Sequence, residues 1–362
     1  HMPTIDELAQ LGTSTWLDDL SRDRLESGNL KELISTKSIV GVTTNPAIFA
    51  TAMTQGTAYD DDFAQLKAER AKADEAVYSL AIDDVRNACD VFQETFEKSG
   101  GKDGRVSIEV DPRISDDADA TIAQARELWN RVGRDNVMIK IPATDGSMSA
   151  ISEALADGIS VNVTLIFSLE RYKEVIEAFK TGIRRAKEND LDISKIHSVA
   201  SFFVSRVDVE IDKRLEKIGS DEALALRGKA GVANAQQAYA LYLAELENAS
   251  DLPEGTNLQR PLWASTGVKN PEYAPTLYVS ELAGPNTVNT MPEKTIDATL
   301  ESDSLHGDTL TNTAEESAQV LRDIAAIGVD LDDVFAQLER EGVEKFVDAW
   351  NELLESVTPR LT

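Results

Sequence analysis

Val137-Met138-Ile139-Lys140-Ile141 sets an amine inside a strand-like run, and its reading decides the fold. Val137, Ile139 and Ile141 share one face at period two, leaving Met138 and Lys140 on the other. The neighbouring runs repeat the pattern. In Arg105–Val110, Val106, Ile108 and Val110 alternate with Ser107 and Glu109. In Ser160–Leu165, Val161, Val163 and Leu165 share one face, and Ser160, Asn162 and Thr164 the other. Consecutive strands therefore carry one apolar face each, with polar groups gathered towards the carboxyl end of the other.

Further short runs read as strands at Thr13–Leu17, Ile39–Thr44, His197–Phe202, Leu262–Ser265 and, with a weaker pattern, Leu277–Leu282. Between them lie amphipathic segments at Asp74–Glu97, Asp117–Arg134, Leu169–Glu188, Asp221–Asn248 and Glu315–Ala326. Strands separated by helices of this length imply right-handed βαβ units and a parallel sheet. Eight such units favour an α/β fold of the closed (β/α)8 TIM-barrel type, although a doubly wound open sheet has the same local signature. The glycine fingerprint of a dinucleotide fold is missing: Gly100-Gly101-Lys102-Asp103-Gly104 follows a helix and precedes a strand, the order of a turn. No linker or low-complexity tract divides the chain, so a single barrel domain over 1–362 is expected. His1-Met2 reads as a cloning remnant. The stretch Asp332–Ser356, within a helical extension over 330–362, has no strand after it and is expected to pack across the outside of the barrel.

Composition narrows the function. With 42% apolar residues in 362, a large core needs neither metal nor disulfide. Cys89 is the single cysteine and sits in an apolar helical pattern, where a buried, inert thiol is expected. With His1 set aside, only His197 and His306 remain, so no metal site is expected and acid–base chemistry falls to carboxylates. Lysine and arginine number 36 against 64 acidic residues, a formal charge of −28. Such a surface repels nucleic acid and anionic lipid; no membrane span or secretory leader is legible, and a cytoplasmic location is expected. An anionic small substrate would need a local basic pocket. The clusters Asp60-Asp61-Asp62, Asp83-Asp84 and Asp116-Asp117 read as helix starts and solvated faces rather than as metal ligands.

On a barrel, the apolar strand faces pack against the helices, and Glu109, Lys140, Asn162 and Thr164 point inward at the end where such folds place chemistry. Two readings compete. One is a structural Glu109–Lys140 ion pair closing the mouth. In the other, removal from water disfavours a lysine's ammonium form, and the free amine attacks a carbonyl to form an imine. Direct pairing with Glu109 would oppose that, so a water bridge suits the second reading better, with Glu109 moving protons and Thr164 orienting the water.

Four segments resemble the transaldolases of the pentose phosphate pathway: Thr43-Thr44-Asn45-Pro46, Val106 to Asp111, Ile139-Lys140-Ile141-Pro142-Ala143-Thr144, and Val161 to Ser168. They run in family order within a match from Trp16 to Lys269. The resemblance implies a (β/α)8 barrel without cofactor that moves a dihydroxyacetone unit between sugar phosphates. It implies Lys140 as the imine-forming residue, Asp18 as the base for the substrate hydroxyl, and Glu109 and Thr164 as holders of the catalytic water. Asn45, Asn162 and Ser201 would bind the hydroxyls of the transferred unit, with Thr43 and Phe203 also at the substrate. Asn45 has an ordinary alternative as a turn residue before Pro46, and Asp18 as a helix cap.

Arg206 and Ser265 match the family's phosphate-binding positions. The pattern's second arginine, two positions after that serine, is Gly267 here, and Lys269 is the nearest basic replacement. Related barrels that run a simple aldolase reaction on fructose 6-phosphate carry glutamine where this chain has Glu109 and tyrosine where it has Phe203. Phe203 offers no proton to an enamine, so transfer is preferred over lysis. A non-catalytic acidic binding barrel is the third reading. A monomer or a homodimer is expected.

Overall fold

The computed structural model describes residues 4–362, so His1-Met2 fall outside the described residues. The strands are β1 (Thr13–Leu17), β2 (Gly41–Val42), β3 (Arg105–Glu109), β4 (Val137–Pro142), β5 (Val161–Ile166), β6 (Ser198–Phe203), β7 (Arg260–Ala264) and β8 (Thr287–Met291). They pair in sequence order, all parallel, and the register from Thr13 opposite Thr287 to Leu17 opposite Met291 closes the barrel.

The helices begin where side chains satisfy their free N–H groups. Asp117 caps Ala118–Val132 by accepting from the Ala120 N–H, and Ser168 caps Leu169–Glu188 through the Arg171 N–H. Asp60-Asp61-Asp62 opens a helix, as read from the sequence. Asp84 does not lie on a solvated face. It is buried and accepts from Tyr59 Oη at 2.5 Å and Arg22 Nε at 2.9 Å, holding two segments together. Cys89 is a buried free thiol, its pKa pushed far up by burial.

The eighth strand departs from expectation. Leu277–Leu282 is not a strand; Leu277–Ser280 is a short helix, and β8 follows it. The outward face of β8 is polar, which hid it: Thr287 bonds Thr13 and the Gly284 carbonyl, and Asn289 donates to the Tyr278 carbonyl. The long pattern Asp221–Asn248 is also broken, into Asp221–Leu224, Ala230–Tyr242 and a π-helical turn Leu243–Glu247.

Inside the barrel, Trp16, Met138, Val199, Leu262 and Val288 belong to one buried cluster. Trp16 fits because β2 offers Gly41, where an added Cβ would stand 2.7 Å from the indole. This apolar layer lies below the carboxyl ends of the strands, which hold polar groups above it.

The C-terminal helix Leu331–Val357 does not run over the outside of the barrel. It crosses the carboxyl-end mouth. Its buried stripe is Val334, Leu338, Gly342, Phe346, Trp350, Leu353 and Val357. An added Cβ at Gly342 would meet Leu165 at 3.1 Å and Phe167 at 3.2 Å, so the helix lies directly on β5 and the loop after it. Leu165 was expected to share the outward face of Val163. A register shift between Val163 and Ile166, with Leu165 at φ 62°, turns it instead into the inner cluster beneath this helix. Among the described residues no helix is long and apolar enough to cross a membrane.

Candidate active site

The ladder sets the geometry. Glu109 on β3 is the register partner of Lys140 on β4, which in turn partners Asn162 on β5. Register neighbours project to the same side of a sheet, so these side chains converge inside the mouth.

Lys140 and Glu109 are each only 6% exposed. They do not form the ion pair of the structural reading. Lys140 Nζ donates to the Thr44 carbonyl at 3.0 Å, and both Glu109 carboxylate oxygens are buried without a hydrogen-bonding partner. Thr164 Oγ1 is likewise buried and unpartnered. Burial pushes the Glu109 carboxyl up to about 7; Lys140 opposes the shift and Asp18 adds to it. A carboxyl held there can both give and take a proton near neutrality.

Asp18 follows β1 and is half-buried. Thr43 Oγ1 donates to it at 2.8 Å and is itself 2.5 Å from Thr290 Oγ1. Removal from solvent raises the Asp18 pKa, while Lys140 and the Thr43 hydrogen bond hold it down. The result is a carboxylate more basic than usual, held in one orientation.

A cavity of about 130 Å³ is lined by Asp18, Thr43, Asn45, Lys140, Ser201, Phe203, Arg206, Ser265 and Lys269, all read from the sequence. Asn45 carries its ordinary role as well: its Oδ1 caps Pro46–Thr54 by accepting from the Ile48 N–H at 3.0 Å. Glu109, Asn162 and Thr164 are absent from this lining. Asn162 is fully buried, accepts from Ser201 Oγ at 2.7 Å and donates to Ser107 Oγ at 3.2 Å. It therefore supports Ser201 from behind.

A family model for transaldolase/fructose-6-phosphate aldolase matches residues 15–357, the C-terminal helix included. The chain belongs to the transaldolase/fructose-6-phosphate aldolase family. Similar proteins are the transaldolases of Mycolicibacterium paratuberculosis (59% identical, over 99% of this chain and 97% of the relative) and Mycolicibacterium smegmatis (58%, over 99% and 98%). That of Mycobacterium tuberculosis is 57% identical over 99% of this chain and 97% of its own.

The other end of the cavity gathers the basic side chains Arg206 and Lys269 on an otherwise acidic protein. Arg206 stacks over Phe203 at 5.0 Å, and its Nη1 is buried with no partner. Desolvation lowers its pKa, with Glu341 opposing. Ser265 Oγ lies 2.7 Å from Ser205 Oγ at the start of the helix Ser205–Ile218. Lys269 is exposed but lines the cavity, and its Nζ stands 3.9 Å from where a Cβ on Gly267 would be. Its ammonium thus lies where a side chain at position 267 would begin.

The sequence reading missed Thr290 and Phe346, which also line the cavity. Thr290 lay in the strand that was misplaced. Phe346 sat in the apolar stripe of a helix whose destination nothing in its own pattern revealed.

Proposed function

We propose that this chain is a transferase that moves a dihydroxyacetone unit from sedoheptulose 7-phosphate or fructose 6-phosphate to glyceraldehyde 3-phosphate or erythrose 4-phosphate, through an imine on Lys140. One observation carries the reading. Lys140 is buried at the barrel mouth, free of any carboxylate partner, with Asp18 in the same cavity and the unpartnered Glu109 and Thr164 behind it. The free amine attacks the ketone at C2. Water held between Glu109 and Thr164 supplies their missing partners and lets Glu109 carry protons as the carbinolamine loses hydroxide. The iminium draws electrons from the C3–C4 bond, so the reaction asks for no metal or organic cofactor. Asp18 takes the C4 hydroxyl proton, the bond breaks and an aldose phosphate leaves. The retained enamine then attacks the next aldehyde, and the steps reverse. Thr43, Asn45, Asn162, Ser201 and Phe203 shape the site of the three-carbon unit, and Arg206, Ser265 and Lys269 hold the phosphate. The protein works in the cytoplasm as a monomer or homodimer, with no nucleic-acid or membrane partner.

Borohydride reduction in the presence of fructose 6-phosphate should leave a stable adduct that peptide mapping places on Lys140. Lys140→Arg should lose the adduct and on the order of 10⁴-fold or more of transfer activity with its thermal melt little changed. Trapping at another lysine would overturn the assignment. Among the described residues no tyrosine lines the cavity, which favours transfer over the lyase reading.

A further inference from the structure

We propose that Phe346 determines whether the Lys140 enamine waits for an aldehyde or is discharged by water. The inference rests on the imine reading above and assigns a specificity-determining role to the C-terminal helix.

The Phe346 ring lies over Lys140, with Nζ 5.8 Å from its centroid, and the residue is 7% exposed. It is held from both sides along its own helix. One turn before it, Gly342 seats the backbone on Leu165 and Phe167; one turn after, Trp350 packs on Tyr78 with ring centroids 5.0 Å apart. The seat itself costs backbone strain, since Leu165 adopts a left-handed φ of 62° at the bulge directly under Gly342. A ring fixed this firmly is a wall rather than a passing contact. Phe203, packed at a tilt on Phe167 with ring centroids 5.1 Å apart, adds a second apolar surface to the cavity.

The chemistry makes such a wall consequential. Discharge of the enamine takes a proton at the carbon that was C3, giving an iminium. Water then adds to C2, the C–N bond breaks, and dihydroxyacetone leaves with the lysine amine restored and the proton returned. The net reaction consumes one water. Productive transfer instead forms a new carbon–carbon bond at the same carbon. A phenyl ring on the cavity side of the nitrogen excludes bulk water, leaving only the molecule held by Glu109 and Thr164, and offers no acidic hydrogen to the enamine carbon, while its π face favours the cationic iminium through which both branches pass. Removing the ring therefore admits the competitor of the aldehyde without removing the nucleophile.

The test compares wild type, Phe346→Val and Phe346→Ala as full-length proteins given fructose 6-phosphate. Free dihydroxyacetone is measured without acceptor, transfer is measured with erythrose 4-phosphate, and the borohydride adduct on Lys140 is followed in each. Phe346→Ala should raise the ratio of release to transfer at least about tenfold, and Phe346→Val by less. In D2O the released dihydroxyacetone should carry carbon-bound deuterium. If the Ala variant fails to fold, the Val variant alone decides by the same ratio. A Lys140 adduct in wild type and in each folded variant with an unchanged ratio would overturn the role of Phe346. Absence of the adduct in wild type would instead bring down the imine reading itself.

Discussion

Arg105 and Glu109 lie four residues apart on the inward face of β3, one at each end of the barrel interior, and the fold treats them oppositely. Arg105 is fully buried and every arm is used: Nε donates to the Gly101 carbonyl at 2.8 Å, Nη1 to the Asp135 carbonyl at 3.0 Å, and Nη2 meets His197 Nδ1 at 2.8 Å. Burial and Arg105 push His197 down to about 3, so it stays neutral. Arg260, next along the floor, is paired with Asp103, Ser14 and the Lys102 carbonyl. Glu109 and Arg206 Nη1, at the mouth, have nothing. Left over at the floor are Asn136 Oδ1, His197 Nε2 and Gln259 Oε1, all on uncharged groups. Buried charge is normally compensated because leaving it alone costs several kcal/mol, roughly. The same strand obeys that rule at one end and breaks it at the other, and the end that breaks it holds Lys140.

The sharpest way to test this contrast is to remove the uncompensated charge. Glu109→Gln should slow turnover roughly 10²–10⁴-fold through lost proton transfer and at the same time stabilise the fold. The sign follows from its raised pKa. Between 4.5 and about 7 the native state keeps a proton that the unfolded chain has lost, so this group's contribution to stability falls as pH rises through that window. Urea unfolding should show the variant more stable than wild type above pH 7, by up to about 3 kcal/mol, and the two converging near pH 4.5. A variant no more stable at pH 8 would mean that Glu109 is compensated after all.

The floor predicts the reverse pairing of effects. Arg105→Met removes a guanidinium whose bonds are all internal and strands two carbonyls and His197 Nδ1. It should cost about 2–4 kcal/mol of stability while leaving kcat and KM of the folded protein within about twofold. A large kinetic effect with unchanged stability would erase the distinction between the two ends.

How much of this the sequence could disclose depended on whether a side chain's environment was local. The inward aim of Glu109, Lys140 and Asn162 was legible, because period-two alternation on β3, β4 and β5 is a property of each strand alone. Thr164 continues that alternation, but Leu165, one residue on, does not: a bulge interrupts it and no residue type announces it. β8 escaped because its outward threonine and asparagine are satisfied by backbone carbonyls from distant segments, which a pattern of apolar faces cannot register. The helix Leu331–Val357 was visible as a helix, yet its stripe of Val334, Leu338, Phe346 and Trp350 would look the same against any apolar surface. Its seat on the mouth became visible only with Leu165 and Phe167 beneath Gly342, and with it the place of Phe346.

The smallest expected effect concerns the one position where the chain departs from the family's phosphate pattern. Lys269 is exposed, and its Nζ stands beside the space above Gly267, in the same cavity as Arg206 and Ser265. A lysine ammonium is a point charge without the bidentate fork of a guanidinium, so its share of phosphate binding should be modest. Lys269→Met should raise KM for fructose 6-phosphate about tenfold, equivalent to about 1.4 kcal/mol, with kcat nearly unchanged. Because the charge is exposed, wild type and variant should draw together as salt is added. Gly267→Arg added to the Lys269→Met variant would then return a guanidinium to the mouth and recover the lost affinity, since the nearest other atoms to a Cβ there, on Pro292 and Thr295, are 3.7 and 3.8 Å away. An unchanged KM in the single variant would leave Arg206 as the principal cation on the phosphate and mark Gly267 as a true loss rather than an exchange.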